Sequence, residues 1–91
     1  MPSNAQPIPQ GAIAMQPIED FVVSLTAPIK PGTSTYTNTA FIFAPSVFID
    51  GLLLTYEVRA DRRYVSFDAS TQTITINNGS LNEGESVQIF Y

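Results

Sequence analysis

Apolar and polar residues alternate along most of the chain with a period of two, the pattern of strands buried on one face. Phe21, Val23 and Leu25 alternate with Val22, Ser24 and Thr26, which predicts a first strand. The segment Pro28-Ile29-Lys30-Pro31-Gly32 breaks it, because proline offers no N–H to a ladder and Pro-Gly marks a turn. Thr, Tyr, Phe and Ile dominate residues 35–43 and predict a second strand, with Phe41 and Phe43 on one face and Ile42 on the other. Pro45 ends it. Two β-favouring runs, residues 47–49 and 52–54, then flank Asp50-Gly51, and such a dipeptide between apolar runs is the strongest short-range hairpin signal. Residues 55–58 extend the return strand, and Ala60-Asp61-Arg62 connects it to the next.

The remaining third repeats this grammar. Residues 63–67 place Val65 and Phe67 on one face and Tyr64 and Ser66 on the other, and Asp68-Ala69-Ser70 turns the chain. Residues 71–76 put Ile74 and Ile76 inward and Thr71, Thr73 and Thr75 outward, an antiparallel strand with one packed and one wetted face. Asn77-Asn78-Gly79-Ser80 supplies residues that tolerate positive φ, Leu81 anchors the connection, and Asn82-Glu83-Gly84 makes another corner. Residues 86–91 close the fold with Val87, Ile89 and Tyr91 on one side and Phe90 on the other. No segment of roughly 10–12 residues has a helical period. The expected fold is all-β, a small antiparallel β-sandwich of about six or seven strands over residues 19–91. Its structural turn residues are Asp50, Gly51, Asn78, Gly79 and Gly84, and Asp50-Gly51 pins the register.

Residues 1–18 follow a different rule. They contain no charged residue and carry Pro2, Pro7, Pro9 and Pro17, with Gly11 between. Proline fixes φ and denies helix to the residue before it, so this segment reads as an extended, polyproline-like arm. Disordered segments are usually charged and poor in apolar residues, whereas this one carries Ile8, Ile13, Met15 and Ile18. That combination suits docking on a neighbouring subunit.

Composition narrows the function classes. The 91 residues make one domain, which buries only about 60–65% of the surface exposed when unfolded. There is no Cys, His or Trp. Disulfides and thiol nucleophiles are therefore excluded, and the commonest metal ligand and general base are missing, so no enzyme activity, metal or cofactor is expected. Eight acidic residues against four basic ones give a net charge of −4, the wrong balance for gripping nucleic-acid phosphates. No apolar run approaches the roughly 18–20 residues of a membrane span, and no basic n-region of a secretory signal is present, so a soluble protein without membrane contact is expected.

Several positions invite chemistry and read more simply. Asp50 stands alone among acidic residues in its vicinity, whereas Ca²⁺ takes six to eight oxygens, so it reads as a turn residue. Asp61, Arg62 and Arg63 form a charge cluster whose plain reading is an exposed ion pair, with a subunit contact through Arg62 or Arg63 as the functional one. Glu83 and Glu85 straddle Gly84 as a solvated turn rather than a catalytic pair. Tyr36, Tyr56 and Tyr64 with Phe41, Phe43 and Phe48 read as core or interface, with sugar stacking as the alternative. Ile42, Phe48 and Phe90 oppose the faces that fill the sandwich and so remain outside, where apolar residues mark partner surfaces. End strands also need cover, which a closed homo-oligomer supplies.

The pattern VFIDGLLL, followed at a distance by TQTITINNGSLNEGESVQIFY, resembles the small β-sandwich module of bacteriophage virion proteins of the head-decoration, tail-fibre and baseplate type. The matching positions are Val47, Ile49, Asp50, Gly51 and Leu52, then Tyr64, Ile74, Ile76, Leu81, Gly84, Glu85, Val87, Ile89 and Tyr91. The resemblance covers residues 46–91 and departs from the family pattern in the longer connection 55–63. It implies a structural virion component partnered by the major capsid protein or by tail components. The expectation is a capsid decoration or cement protein, with Ile8, Ile13, Met15, Ile18, Ile42, Phe48, Arg62, Arg63 and Phe90 as partner-binding residues. A tail-fibre or baseplate module that recognises host glycan is the alternative.

Overall fold

A computed structural model of the protein describes residues 18–91. Ile8, Ile13 and Met15 of the arm lie outside the described residues. Within them the strands are β1 (Ile18–Val22), β2 (Thr35–Thr37), β3 (Ser46–Ile49), β4 (Leu52–Leu53), β5 (Tyr64–Asp68), β6 (Thr73–Asn77) and β7 (Ser86–Phe90). They form two antiparallel sheets, a four-stranded one ordered β1-β7-β3-β4 and a three-stranded one ordered β2-β6-β5. The fold is the all-β antiparallel sandwich that the alternation predicts.

The core lies between the sheets. Val47, Ile49, Val87 and Ile89 from one sheet and Val65, Ile74 and Ile76 from the other are buried. Partners across a ladder point the same way, and the pairs Val47↔Ile89 and Ile49↔Val87, like Val65↔Ile76, set these side chains side by side. Phe41 and Leu81 enter from loops and are fully buried. The Phe41 ring stands edge-on to Tyr36 at 5.9 Å, to Phe67 at 6.5 Å and to Tyr91 at 5.0 Å, the crossed geometry aromatic quadrupoles favour.

The central hairpin has the expected register, Ile49↔Leu52 and Phe48↔Leu53. Asp50 and Gly51 have φ of 50° and 80°, and a two-residue type I′ turn requires positive φ at both positions. Asp50 also joins the turn to β7: its N–H donates to Ser86 O at 2.8 Å and its Oδ1 accepts from Ser86 N–H at 2.8 Å. Asn78 and Gly79 turn with φ of 66° and 145°, and Gly84 with 90°.

Three expected strands are shorter than their sequence patterns, each cut by a local side-chain or backbone bond. β1 begins at Ile18, the last residue of the predicted arm, and ends at Val22. Val23 still bonds Glu85 O, but Ser24 then accepts from Thr26 N–H through its hydroxyl and from Ala27 N–H through its carbonyl. The chain turns there, and Leu25 is left 74% exposed instead of inward. β2 covers only Thr35–Thr37, because Asn38 accepts from Ala40 N–H on its side chain and from Phe41 N–H on its carbonyl. This turn sends Phe41 into the core and both Ile42 and Phe43 outside, so Phe41 and Phe43 do not share a face. β4 stops at Leu53, and residues 55–58 do not extend it. Thr55 O accepts from Val65 N–H in the other sheet while its hydroxyl accepts from Glu57 N–H, which carries the chain across the sandwich.

Candidate interaction surface

The two outer faces of the sandwich differ in kind. On the three-stranded sheet, the residues that alternate with the buried Val65, Ile74 and Ile76 are Thr35, Thr37, Ser66, Thr73, Thr75 and Asn77, flanked by Tyr64 and Asp68. They bond among themselves, Thr37 Oγ1 with Thr73 Oγ1 at 2.6 Å and Asn77 Nδ2 donating to Ser66 Oγ at 3.1 Å. Hydroxyls and amides in such rows suit water.

On the four-stranded sheet, the row opposite Val47, Ile49, Val87 and Ile89 presents Ile18, Val22, Phe48, Leu53 and Phe90. Ile18 is 46% exposed, and Val22 and Leu53 are each 55% exposed. Phe48 and Phe90 are half-buried because they pack edge-on to each other at 5.5 Å. Ser46, Ser86 and Gln88 separate these residues, and Asp20 is the charge in the same rows. Beside Phe90 the face runs into a cleft of about 280 Å³ lined by Ala40, Ile42, Phe43, Ala44, Ser46, Phe90 and Tyr91. Ile42 and Phe43 form its outer wall, 64% and 82% exposed. Ile18, where the described chain starts, pairs with Phe90 at this corner.

Of the sequence-predicted partner residues, the structure therefore brings Ile18, Ile42, Phe48 and Phe90 to one side of the molecule. It adds Leu53, Val22 and Phe43, which sequence reasoning placed inside or left unassigned. Leu53 was legible in principle, since it pairs with Phe48 in the hairpin that Asp50-Gly51 fixes. Phe43 was not, because only the Asn38 turn takes it off the inward face.

Arg63 belongs elsewhere. Its guanidinium donates to both carboxylate oxygens of Glu85, at 2.9 and 2.7 Å, and to Ser80 O at 3.1 Å. Its stem lies over Gly79, where a Cβ would stand 3.2 Å from Arg63 Cδ. The side chains of Arg63 and Glu85 are 25% and 15% exposed. The Glu85 hydrogen bond raises the Arg63 pKa, and the Arg63 hydrogen bond holds the Glu85 carboxyl below its usual range. With its fork committed inside the chain, Arg63 is a clasp between the two sheets, and Glu85 is not part of a solvated pair with Glu83. Arg62 does remain outside, loosely paired with Asp61 at 3.4 Å, beside a smaller cleft it shares with Leu52 and Leu53.

The tyrosines do not share a surface. Tyr36 faces inward, with its hydroxyl donating to Glu19 at 2.6 Å, and burial followed by that bond raises its pKa. Tyr56 donates to Pro45 O at 2.6 Å, and burial pushes its hydroxyl up to about 12. Tyr64 lies on the outer face of the three-stranded sheet. Glu19, an inward carboxylate shared by Tyr36 and Asn38, escaped the sequence reading; it lies two residues before Phe21 and so on the same face. Among the described residues, no three acidic side chains converge as a metal site would require. No known protein family, curated protein or solved structure matches the chain.

What this arrangement offers chemically is apolar contact area. Covering a largely exposed side chain such as Phe43 is worth up to roughly 1.5–3 kcal/mol, and the half-covered Leu53 about half as much.

Proposed function

We propose that the chain is a non-enzymatic virion structural protein, a decoration or cement protein that holds to a phage capsid and to its own copies. The observation that carries this reading is the contrast between the outer faces: Ile18, Phe48, Leu53 and Phe90 on one sheet, a threonine-rich row on the other. Exposed apolar patches rimmed by polar residues mark partner surfaces. The uncharged residues 1–17 precede Ile18 of that patch in sequence. The resemblance of residues 46–91 to virion sandwich modules supports the same reading by analogy of fold. In it, the arm lies along neighbouring capsid subunits and the polar sheet faces solvent. The separation of Tyr36, Tyr56 and Tyr64 favours decoration over glycan recognition.

The test is co-sedimentation with undecorated phage heads. The full chain is expected to pellet with the heads, and a chain of residues 18–91 to keep its thermal transition and stay in the supernatant. Equal pelleting by the shorter chain contradicts the role of the arm, and no pelleting by the full chain contradicts decoration.

A further inference from the structure

We propose that the cleft walled by Ile42, Phe43, Phe90 and Tyr91 is the dock for Pro7-Ile8-Pro9 of a second copy of this chain, so that copies link arm to cleft. This deepens the proposed function by naming one partner of the arm, and it rests on reading the chain as an assembly protein.

Two properties of the site match the segment. The side chains that line the cleft are uncharged, and those of residues 1–17 are too, so no charged side chain is desolvated when they meet. Its walls include three aromatic rings, and aromatic-lined grooves are the common dock for proline-rich segments, whose preset backbone loses little entropy on binding. Pro7 and Pro9 bracket Ile8 and bias both it and Gln6 towards that conformation.

Chain length selects a second copy over the same one. The arm joins the described domain at Ile18, paired with Phe90 on the rim of the cleft. At about 3.1 Å per residue, Pro7 to Pro9 fall roughly 28–34 Å from Ile18 along an extended chain. That is about the diameter of a small domain. Reaching its own cleft would take a reversal within residues 10–16, which an extended arm does not contain, whereas the cleft of an adjacent copy lies within direct reach of an extended arm.

The experiment uses full-length chains and reads mass by sedimentation velocity over a hundredfold range of concentration. The wild type is expected to self-associate, and Ile8→Asp and Phe43→Asp each to sediment as a single chain. Phe43 is 82% exposed, so its variant keeps the thermal transition. Mixing the two variants restores a dimer and nothing larger, because the intact arm of one meets the intact cleft of the other. A wild type that stays a single chain at all concentrations overturns the proposal, as does association that neither variant weakens or a mixture that stays monomeric. Head binding is read separately for the same variants. Heads decorated by variants that no longer self-associate preserve the proposed function while locating self-association outside it, and self-association without head binding does the reverse.

Discussion

Arg63 and Glu85, 22 residues apart in sequence, meet as a two-pronged ion pair with N–O distances of 2.9 and 2.7 Å. Arg63 precedes β5 in one sheet and Glu85 precedes β7 in the other, so the pair fastens the two layers at one end. Glu85 Oε1 also accepts from Asn82 N–H at 2.8 Å, which ties in the corner at Gly84.

Replacing Glu85 by Gln is therefore expected to lower stability by about 1.5–3 kcal/mol at pH 7, the range for hydrogen bonds to charged groups. Urea unfolding measures it. The pH dependence has a definite sign. The Glu85 carboxyl titrates lower in the folded chain than in the unfolded one, chiefly through the Arg63 hydrogen bond. Its contribution is then full above the ordinary carboxylate value of about 4.3 and is lost as pH falls through the folded value. The stability gap between the wild type and Glu85→Gln is expected to narrow steadily below about pH 4.3. A gap of constant size from pH 7 to pH 3 contradicts the clasp.

At Gly51 the issue is conformation rather than space. Its φ is +80°, and a Cβ there would meet nothing within 4 Å. Gly51→Val is expected to cost about 1–3 kcal/mol through backbone strain and to reduce folded yield. Gly51→Asn, which tolerates the left-handed region, should cost distinctly less. Melting temperatures of the two variants compare them, and equal losses would point to something other than φ.

The outer faces give a paired prediction. Leu53→Lys places a charge on the apolar face, and Thr35→Lys places one on the polar face. Both sites are exposed, so both variants are expected to unfold within about 0.5 kcal/mol of the wild type. Under the proposed decoration role, only Leu53→Lys should weaken binding to phage heads, by tenfold or more in a co-sedimentation titration. Equal weakening by both would mean that a change in net charge is responsible, and not the face.

How far the sequence reached differs from element to element. Period-two alternation placed the buried residues of β3, β5, β6 and β7 correctly, because each of these strands is flanked by turn residues that match its ends. The hairpin at Asp50-Gly51 was legible to the residue, since only one turn type fits two residues at positive φ. Propensity overran at β1, β2 and β4, where Ser24, Asn38 and Thr55 bind nearby backbone groups and stop the ladder. The same competition decides the exposed apolar surface: Phe43 looks inward by alternation and is outward because Asn38 resets the chain. For Arg63 the ion partner Glu85 was not legible, for another reason. Its partner lies on a different sheet, and local pattern carries no information about pairing at that separation.

The measurement that bears most directly on the account is a reconstruction of decorated phage heads at side-chain resolution. The outer face with Ile18, Phe48, Leu53 and Phe90 is expected against neighbouring subunits, with density for residues 1–17 running onward from Ile18 and the row Thr35, Thr73 and Thr75 facing solvent. Heads bound through the threonine row, with the apolar face left in water, would contradict it.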